Sequence, residues 1–215
     1  MTGKKANPAV RSTFRHGDLR RALLDAGIAL ARDGGPDAVV LREATRRAGV
    51  VPNAAYRHYA SREELLRAVR SSALASLALA IEAELSRLRR GSSAADFARG
   101  SLRAVGTGYL RFAQDEPGLF RTAFSVPDEQ DLPTDPAKAG ASGLNPFQLL
   151  CAALDRFVEA GLLGPRQRLG AEYLAWSAVH GLAMLVIDGP LRGLSRPQTR
   201  IVGQRLLDMV EKGLS

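Results

Sequence analysis

The sequence predicts an all-α protein: an N-terminal three-helix domain of helix-turn-helix type and a larger C-terminal helical domain. Three observations predict it. Apolar residues recur at three- and four-residue steps through most of the chain, the period of one helix face. No segment sustains the alternation of a half-buried strand. The breakers Gly34-Gly35-Pro36, Gly49 and Gly91 and the proline-rich stretch 126–146 fall between the periodic runs, not inside them. About nine helices result, with no internal repeat.

Residues 1–14 hold Lys4, Lys5, Pro8 and Arg11 without apolar period and read as a disordered basic arm. The first helix is expected over Asp18–Arg32, with Leu19, Leu23, Ala26 and Leu30 on one face and Asp18 at its positive end. Leu41–Ala48 forms a short second helix, ended by Gly49. The third spans about Pro52–Tyr59, with proline tolerated in its first turn and Tyr59 turned inward as an anchor. Ser61 and Glu64 form a capping box for the fourth, whose series Leu74, Leu77, Ile81, Leu85, Leu88 carries it to near Gly91. Ala94–Ala113, Pro117–Phe124, Phe147–Ala160, Leu169–Ile187 and Pro197–Lys212 complete the set. The stretch 126–146 is a loop long enough to be functional or disordered. The division is an arm over 1–14, a helix-turn-helix domain over 15–62, and a larger helical domain over 63–215.

Composition narrows the function. Hydrophobic residues at 46% support a core, and charged residues at 24% are ordinary for a globular chain. The net charge of +8 is uneven, with +7 in residues 1–70 and +1 in the rest. Such a local excess suits a polyanion-binding module, though it equally describes a solvated basic face. The single cysteine, Cys151, allows no intrachain disulfide and fits a reducing cytoplasm. No leader or membrane span is expected, because the longest charge-poor stretch, Tyr173–Ile187, is too short to cross a bilayer. His16, His58 and His180 are far apart, and no phosphate-cradling glycine loop, HExxH or CxxC occurs. The expectation is no metal, no cofactor and no catalysis.

The informative segment is LREATRRAGVVPNAAYRHYASREELLRAV, residues 41–69. Two short helices joined by a glycine turn lie in the basic third of the chain, the layout that places a second helix in the major groove. Arg57 and Asn53 carry the groups that pair with guanine and adenine edges. Tyr56 and His58 carry donors for phosphate oxygens, although Tyr56 also reads as a core residue. Arg46 and Arg47 read equally as phosphate ligands or as charges keeping a surface helix solvated.

Residues 16–69, from HGDLRRALLDAGIAL through AGV and AAYRHY to SREELLRAV, resemble the TetR-family DNA-binding domain. Tyr109–Phe112, Pro117–Phe120 and the run Trp176-Ser177-Ala178-Val179-His180-Gly181 resemble a TetR C-terminal subfamily named for its Trp, His and Gly. The resemblance implies a homodimer joined by its last two helices, a double-stranded DNA operator and a small-molecule effector. It implies contact to base or phosphate at Arg42, a base-facing side carrying Asn53, Ala54 and Arg57, phosphate contacts at Tyr56 and His58, and a guanidinium at Arg62 where the family has a phosphate-binding lysine. The chain departs from the pattern at Val40 and Val51, where Ser or Thr is usual, and at Thr45, where alanine is usual. Neither valine can cap a helix.

The candidate effector-binding residues are Tyr109, Phe112, Phe120, Phe147, Cys151, Trp176 and His180. Each also reads as core: His180 lies one turn after Trp176 on the same face, and Gly181 beside it suggests close helix packing. The expected function is transcriptional repression relieved by a hydrophobic small molecule. The rivals are a DNA-binding regulator without a ligand, which predicts no cavity, and a small helical enzyme, which requires convergent titratable groups.

Overall fold

The computed structural model describes residues 16–88, 93–125 and 135–214. The expected arm 1–14 and the loop residues 126–134 lie outside them. The described residues form ten α-helices and no strand. In order these are α1 (His16–Gly34), α2 (Leu41–Ala48), α3 (Pro52–Ala55), α4 (Arg62–Leu85), α5 (Ala94–Asp115), α6 (Pro117–Ala123), α7 (Pro146–Glu159), α8 (Pro165–Arg168), α9 (Ala171–Ile187) and α10 (Arg196–Leu214).

Three sequence expectations are corrected. Ten helices occur where about nine were expected, because α8, a four-residue turn begun by Pro165, is too short to show a period. α3 stops at Ala55, not Tyr59; Tyr56 is its C-cap, and the amides of His58 and Tyr59 both return to the Ala55 carbonyl. α4 ends at Leu85, short of Gly91, with Ser86 as its C-cap.

Local chemistry explains the N-terminal geometry. The Gly49 amide bonds the Arg46 carbonyl and the Val50 amide the Thr45 carbonyl, with Gly49 at φ +68°. This left-handed closure is open to glycine at little steric cost, and it sets the angle between α2 and α3. Ser61 Oγ accepts from the Glu64 amide at 3.2 Å, while the Glu64 carboxylate reaches back to the Ala60 amide at 2.7 Å. The box therefore closes one residue earlier than its usual form. Val40 and Val51 stand at the N-caps of α2 and α3, and neither helix has a side-chain cap.

α4 ties the two parts of the molecule together. Its first turns bury Leu65 and Val69 among Leu23 of α1 and Tyr59, and its later turns bury Leu77 and Ile81 against α5. The buried residues form one continuous cluster from Leu19 to Leu214. α6 packs on α1, α4 and α5. α9 and α10 pack on α5 and on each other.

Candidate nucleic-acid interface and effector cavity

The surface of α2 and α3 is turned to solvent. Arg42, Arg46, Asn53, Tyr56 and Arg57 are exposed, Tyr56 at 58%. His58 is half-buried. Ala54 is half-buried and packs against the core. Val51, at 69% exposed, and Val40 add apolar surface to the same side.

Tyr59 holds this surface in place. It is 1% exposed, its ring lies under the Arg20 guanidinium at 4.7 Å, and Arg20 donates to the His58 carbonyl at 2.9 Å. The reading segment is thereby fastened at its C-terminal end to α1.

The arginines divide by what they touch. Arg46 donates to Glu43 through Nε and Nη2 at 2.9 and 2.6 Å, and this hydrogen bond holds the Glu43 carboxyl below the usual range. Arg47 pairs with Asp33 at 2.8 Å. Arg62 donates to the Val39 and Pro36 carbonyls, each at 2.9 Å, which braces the connection before α2. The side chains of Arg42 and Arg57 make no hydrogen bond or ion pair among the described residues. The positive charge most available to an incoming polyanion is theirs.

The second feature is a cavity of about 220 Å³ inside the C-terminal bundle. α4 gives Leu74, α5 gives Leu102, Val105 and Tyr109, and the end of α6 gives Ala123 and Phe124. α7 contributes Phe147 and Leu150, α9 Trp176 and Val179, and α10 Leu207 and Val210. The segment 135–145 closes the wall with Lys138 and Asn145. Size and lining match a site for a small apolar molecule with a few polar groups.

A polar chain stands in one wall. Trp176 Nε1 donates to the Tyr109 hydroxyl oxygen at 3.2 Å, and that oxygen lies 2.8 Å from His180 Nδ1. An indole N–H can only donate, so the Tyr109 oxygen accepts from Trp176, and the same hydroxyl shares a second hydrogen bond with His180 Nδ1. Burial depresses the His180 pKa and raises that of Tyr109, which keeps both neutral. Phe124 at 4.9 Å and Phe120 at 5.6 Å enclose the imidazole.

Of the seven candidate effector residues, Tyr109, Phe147 and Trp176 line the cavity. The other four stand outside its lining. His180 lies behind Tyr109, reaching the wall through it. Phe120 is fully buried and meets the Tyr109 ring edge-on at 5.4 Å. Phe112, one turn beyond Tyr109 on α5, is buried in the core, and Cys151 is partly buried outside the wall, where burial pushes its thiol up against the pull of Arg168. Helical spacing marks a residue as inward-facing but does not separate a cavity wall from the packing behind it. Phe124 and Lys138 are wall residues outside the candidate set, and nothing in the local sequence around Lys138 signals burial.

Residues 102–210, just over half of the chain, match the family model described as "Tetracyclin repressor-like, C-terminal domain". Residues 23–69 match "Bacterial regulatory proteins, tetR family". The chain belongs to the TetR family. It is a TetR-family transcriptional regulator, and members of that family are non-enzymatic DNA-binding proteins.

Solved structures share the fold. A protein of unknown function from Rhodococcus sp. RHA1 is 24% identical, with 95% of this chain and 99% of that one covered and a TM-score of 0.74. PfmR, a TetR-family transcriptional regulator from Thermus thermophilus, is 22% identical over 90% and 98%, with a TM-score of 0.57. A tetR-family bacterial regulatory protein from Rhodococcus RHA1 is 18% identical over 92% and 97%, at 0.55. No curated protein matches the chain. No helix among the described residues is long and apolar enough to cross a membrane, and no group of His, Cys, Asp and Glu among them could hold a metal ion.

Proposed function

We propose that this TetR-family chain is a cytoplasmic, homodimeric repressor, released from a pseudo-palindromic DNA operator by a hydrophobic small molecule. The observation that carries the reading is the contact pattern of α6. One end of α6 lies in the cavity wall through Ala123 and Phe124. The other end docks on the DNA-binding part: Glu116 accepts from Arg32 Nε at 2.7 Å, and Gly118 packs on the end of α1. A methyl group at Gly118 would collide with the carbonyl oxygens of Ala31 and Arg32. In between, Arg121 makes a bidentate pair with Asp188 beyond α9, at 2.7 to 2.9 Å. A ligand that displaces Phe124 moves a helix that cannot shift without α1. Coupling of this kind typically amounts to about 1–3 kcal/mol of operator affinity.

In this reading Arg42, Asn53 and Arg57 reach base edges or phosphates, and Tyr56 and His58 reach phosphates. Arg46 and Arg62 contribute field and bracing, given their partners Glu43, Val39 and Pro36. Two reading segments enter adjacent major grooves about one DNA turn apart. The exposed apolar side chains Leu174, Met184 and Leu185 of α9 and Ile201, Val202 and Met209 of α10 support a dimer bundle built from those two helices. The functional division falls at about residue 62, where α4 begins. The Trp176–His180 segment supports placement in the Trp-His-Gly subfamily, with its Trp in the cavity wall and its His one bond behind. The cavity favours this reading over a regulator without a ligand.

Selection of bound fragments from genomic DNA, with and without extract of the source cells, tests the proposal. A shared inverted-repeat sequence whose recovery falls when extract is added is the expected result. Recovery of DNA without a common inverted repeat contradicts it.

A further inference from the structure

Four aromatic rings border the cavity: Tyr109 of α5, Phe124 at the end of α6, Phe147 of α7 and Trp176 of α9. Aromatic residues are 6% of the chain but four of the twenty that line this space. The rings form one unbroken series. Phe147 meets Trp176 at 5.8 Å between centroids, Trp176 meets Phe124 at 6.3 Å, and Phe124 meets Tyr109 at 6.0 Å. Successive planes are inclined at 66°, 48° and 42°. A planar guest cannot lie parallel to all four, so it meets some of them tilted or edge-on, which aromatic pairs prefer to a face-to-face sandwich. The rest of the apolar lining, Leu74, Leu102, Val105 and Leu150 among it, has no such preference.

The rings are held in place before anything binds. Trp176 donates to the Tyr109 hydroxyl at 3.2 Å, and that hydroxyl is bonded to His180 at 2.8 Å. Phe147 sits in the first turn of α7, which a reciprocal capping box fixes: the Gln148 amide donates to Asn145 Oδ1 and the Asn145 amide to Gln148 Oε1, each at 2.9 Å. Phe124 packs on the His180 ring at 4.9 Å. A wall set in advance loses little freedom when it is occupied. The charged side chains of the lining are already engaged. Arg103 pairs with Asp208 at 2.6 Å and with Glu211 at 3.1 Å, Arg70 donates to the Ala123 carbonyl at 3.1 Å, and Lys138 has a partner of its own. Selection among uncharged ligands of one size therefore falls to the rings.

We propose that the cavity takes an aromatic molecule, seated against the series Phe147–Trp176–Phe124–Tyr109, in preference to a saturated ring system of the same carbon skeleton. The proposal rests on the effector reading of the cavity and names the class of effector.

The probes are 2-naphthol and decahydro-2-naphthol, which share one skeleton and one hydroxyl and are both uncharged at neutral pH. Saturation enlarges the apolar surface, so burial alone favours the decahydro compound. In calorimetric titrations of the full-length protein, 2-naphthol is expected to bind about tenfold tighter. Phe147→Leu and Phe124→Leu should each reduce that advantage to about threefold or less and leave the decahydro-2-naphthol affinity within about twofold, while Phe147→Tyr keeps the advantage. The decahydro-2-naphthol titration doubles as the check that each variant keeps its cavity. Equal or greater affinity for the saturated probe, or an advantage that survives both Leu variants, overturns the aromatic assignment and leaves the effector cavity standing. Binding of neither probe up to its solubility overturns both.

Discussion

Replacing Tyr109 by Phe removes one oxygen atom and keeps the ring that packs on Phe120 at 5.4 Å. The cost is therefore almost wholly that of the polar chain. The hydroxyl accepts from Trp176 at 3.2 Å and shares a hydrogen bond with His180 at 2.8 Å. A neutral hydrogen bond contributes about 0.5–1.5 kcal/mol net, and a buried group left without its partner costs about 1–3 kcal/mol. Trp176 faces the cavity, where water can replace the phenol, so its bond is the cheaper loss. His180 is half-buried with Phe120 and Phe124 against its ring, so its bond is the larger loss. The sum is about 2 kcal/mol, or about 4–8 °C in Tm for a chain of this length. Thermal melts at one fixed protein concentration measure it, since a dimer's Tm depends on concentration. A cycle with His180→Phe should return a coupling of about 1 kcal/mol between positions 109 and 180. A Tyr109→Phe protein melting within about 1 °C of the parent would refute the reasoning, because the hydroxyl would then carry no interaction the fold depends on.

Acidification should destabilise the protein through His180. Burial puts its folded pKa below the ordinary 6.5, so the unfolded chain binds the extra proton first. The stability linked to His180 is complete above about pH 6.5 and is lost as pH falls towards the folded pKa; His180→Gln should flatten the Tm profile between about pH 7 and 5, as differential scanning calorimetry would record. Val51→Ser should raise stability by about 1 kcal/mol in urea titrations, because it supplies a cap at φ −74°, ψ 141° and gives up little burial at a position 69% exposed. Gly118→Ala drives a methyl onto the Ala31 and Arg32 carbonyls, and should cost about 1–3 kcal/mol in the same assay. It should also weaken the effect of any effector on operator binding, since it disturbs the seat of α6 on α1.

The apolar period of Leu19, Leu23, Ala26 and Leu30 placed α1 to within two residues at each end, and the Gly49 signal placed α2 without error. Both depend on neighbours in the chain. What was illegible depends on partners far away. Arg62 is spent on Val39 and Pro36, more than twenty residues earlier. Lys138 is buried because Glu82, on another helix, holds its segment. The stretch 126–146 reads as an open loop in composition, yet its described part is a strap along α4. Aromatic residues on inward helix faces announced a core, but Phe120 and Tyr109 look alike in sequence, and the packing between α5, α6 and α9 decides which ring meets the empty space.

The measurement closest to the central claim is operator binding by the double variant Tyr56→Ala/Arg57→Ala, read by fluorescence anisotropy on the selected DNA, with dimerisation checked by sedimentation. Both side chains project from the outer surface, so the fold should survive. Loss of one base-edge contact and one phosphate contact predicts a fall in affinity of about 30- to 1,000-fold at constant salt, with the dimer intact. Wild-type affinity from an intact double-variant dimer would contradict the assignment of Leu41–Tyr59 as the DNA-reading surface.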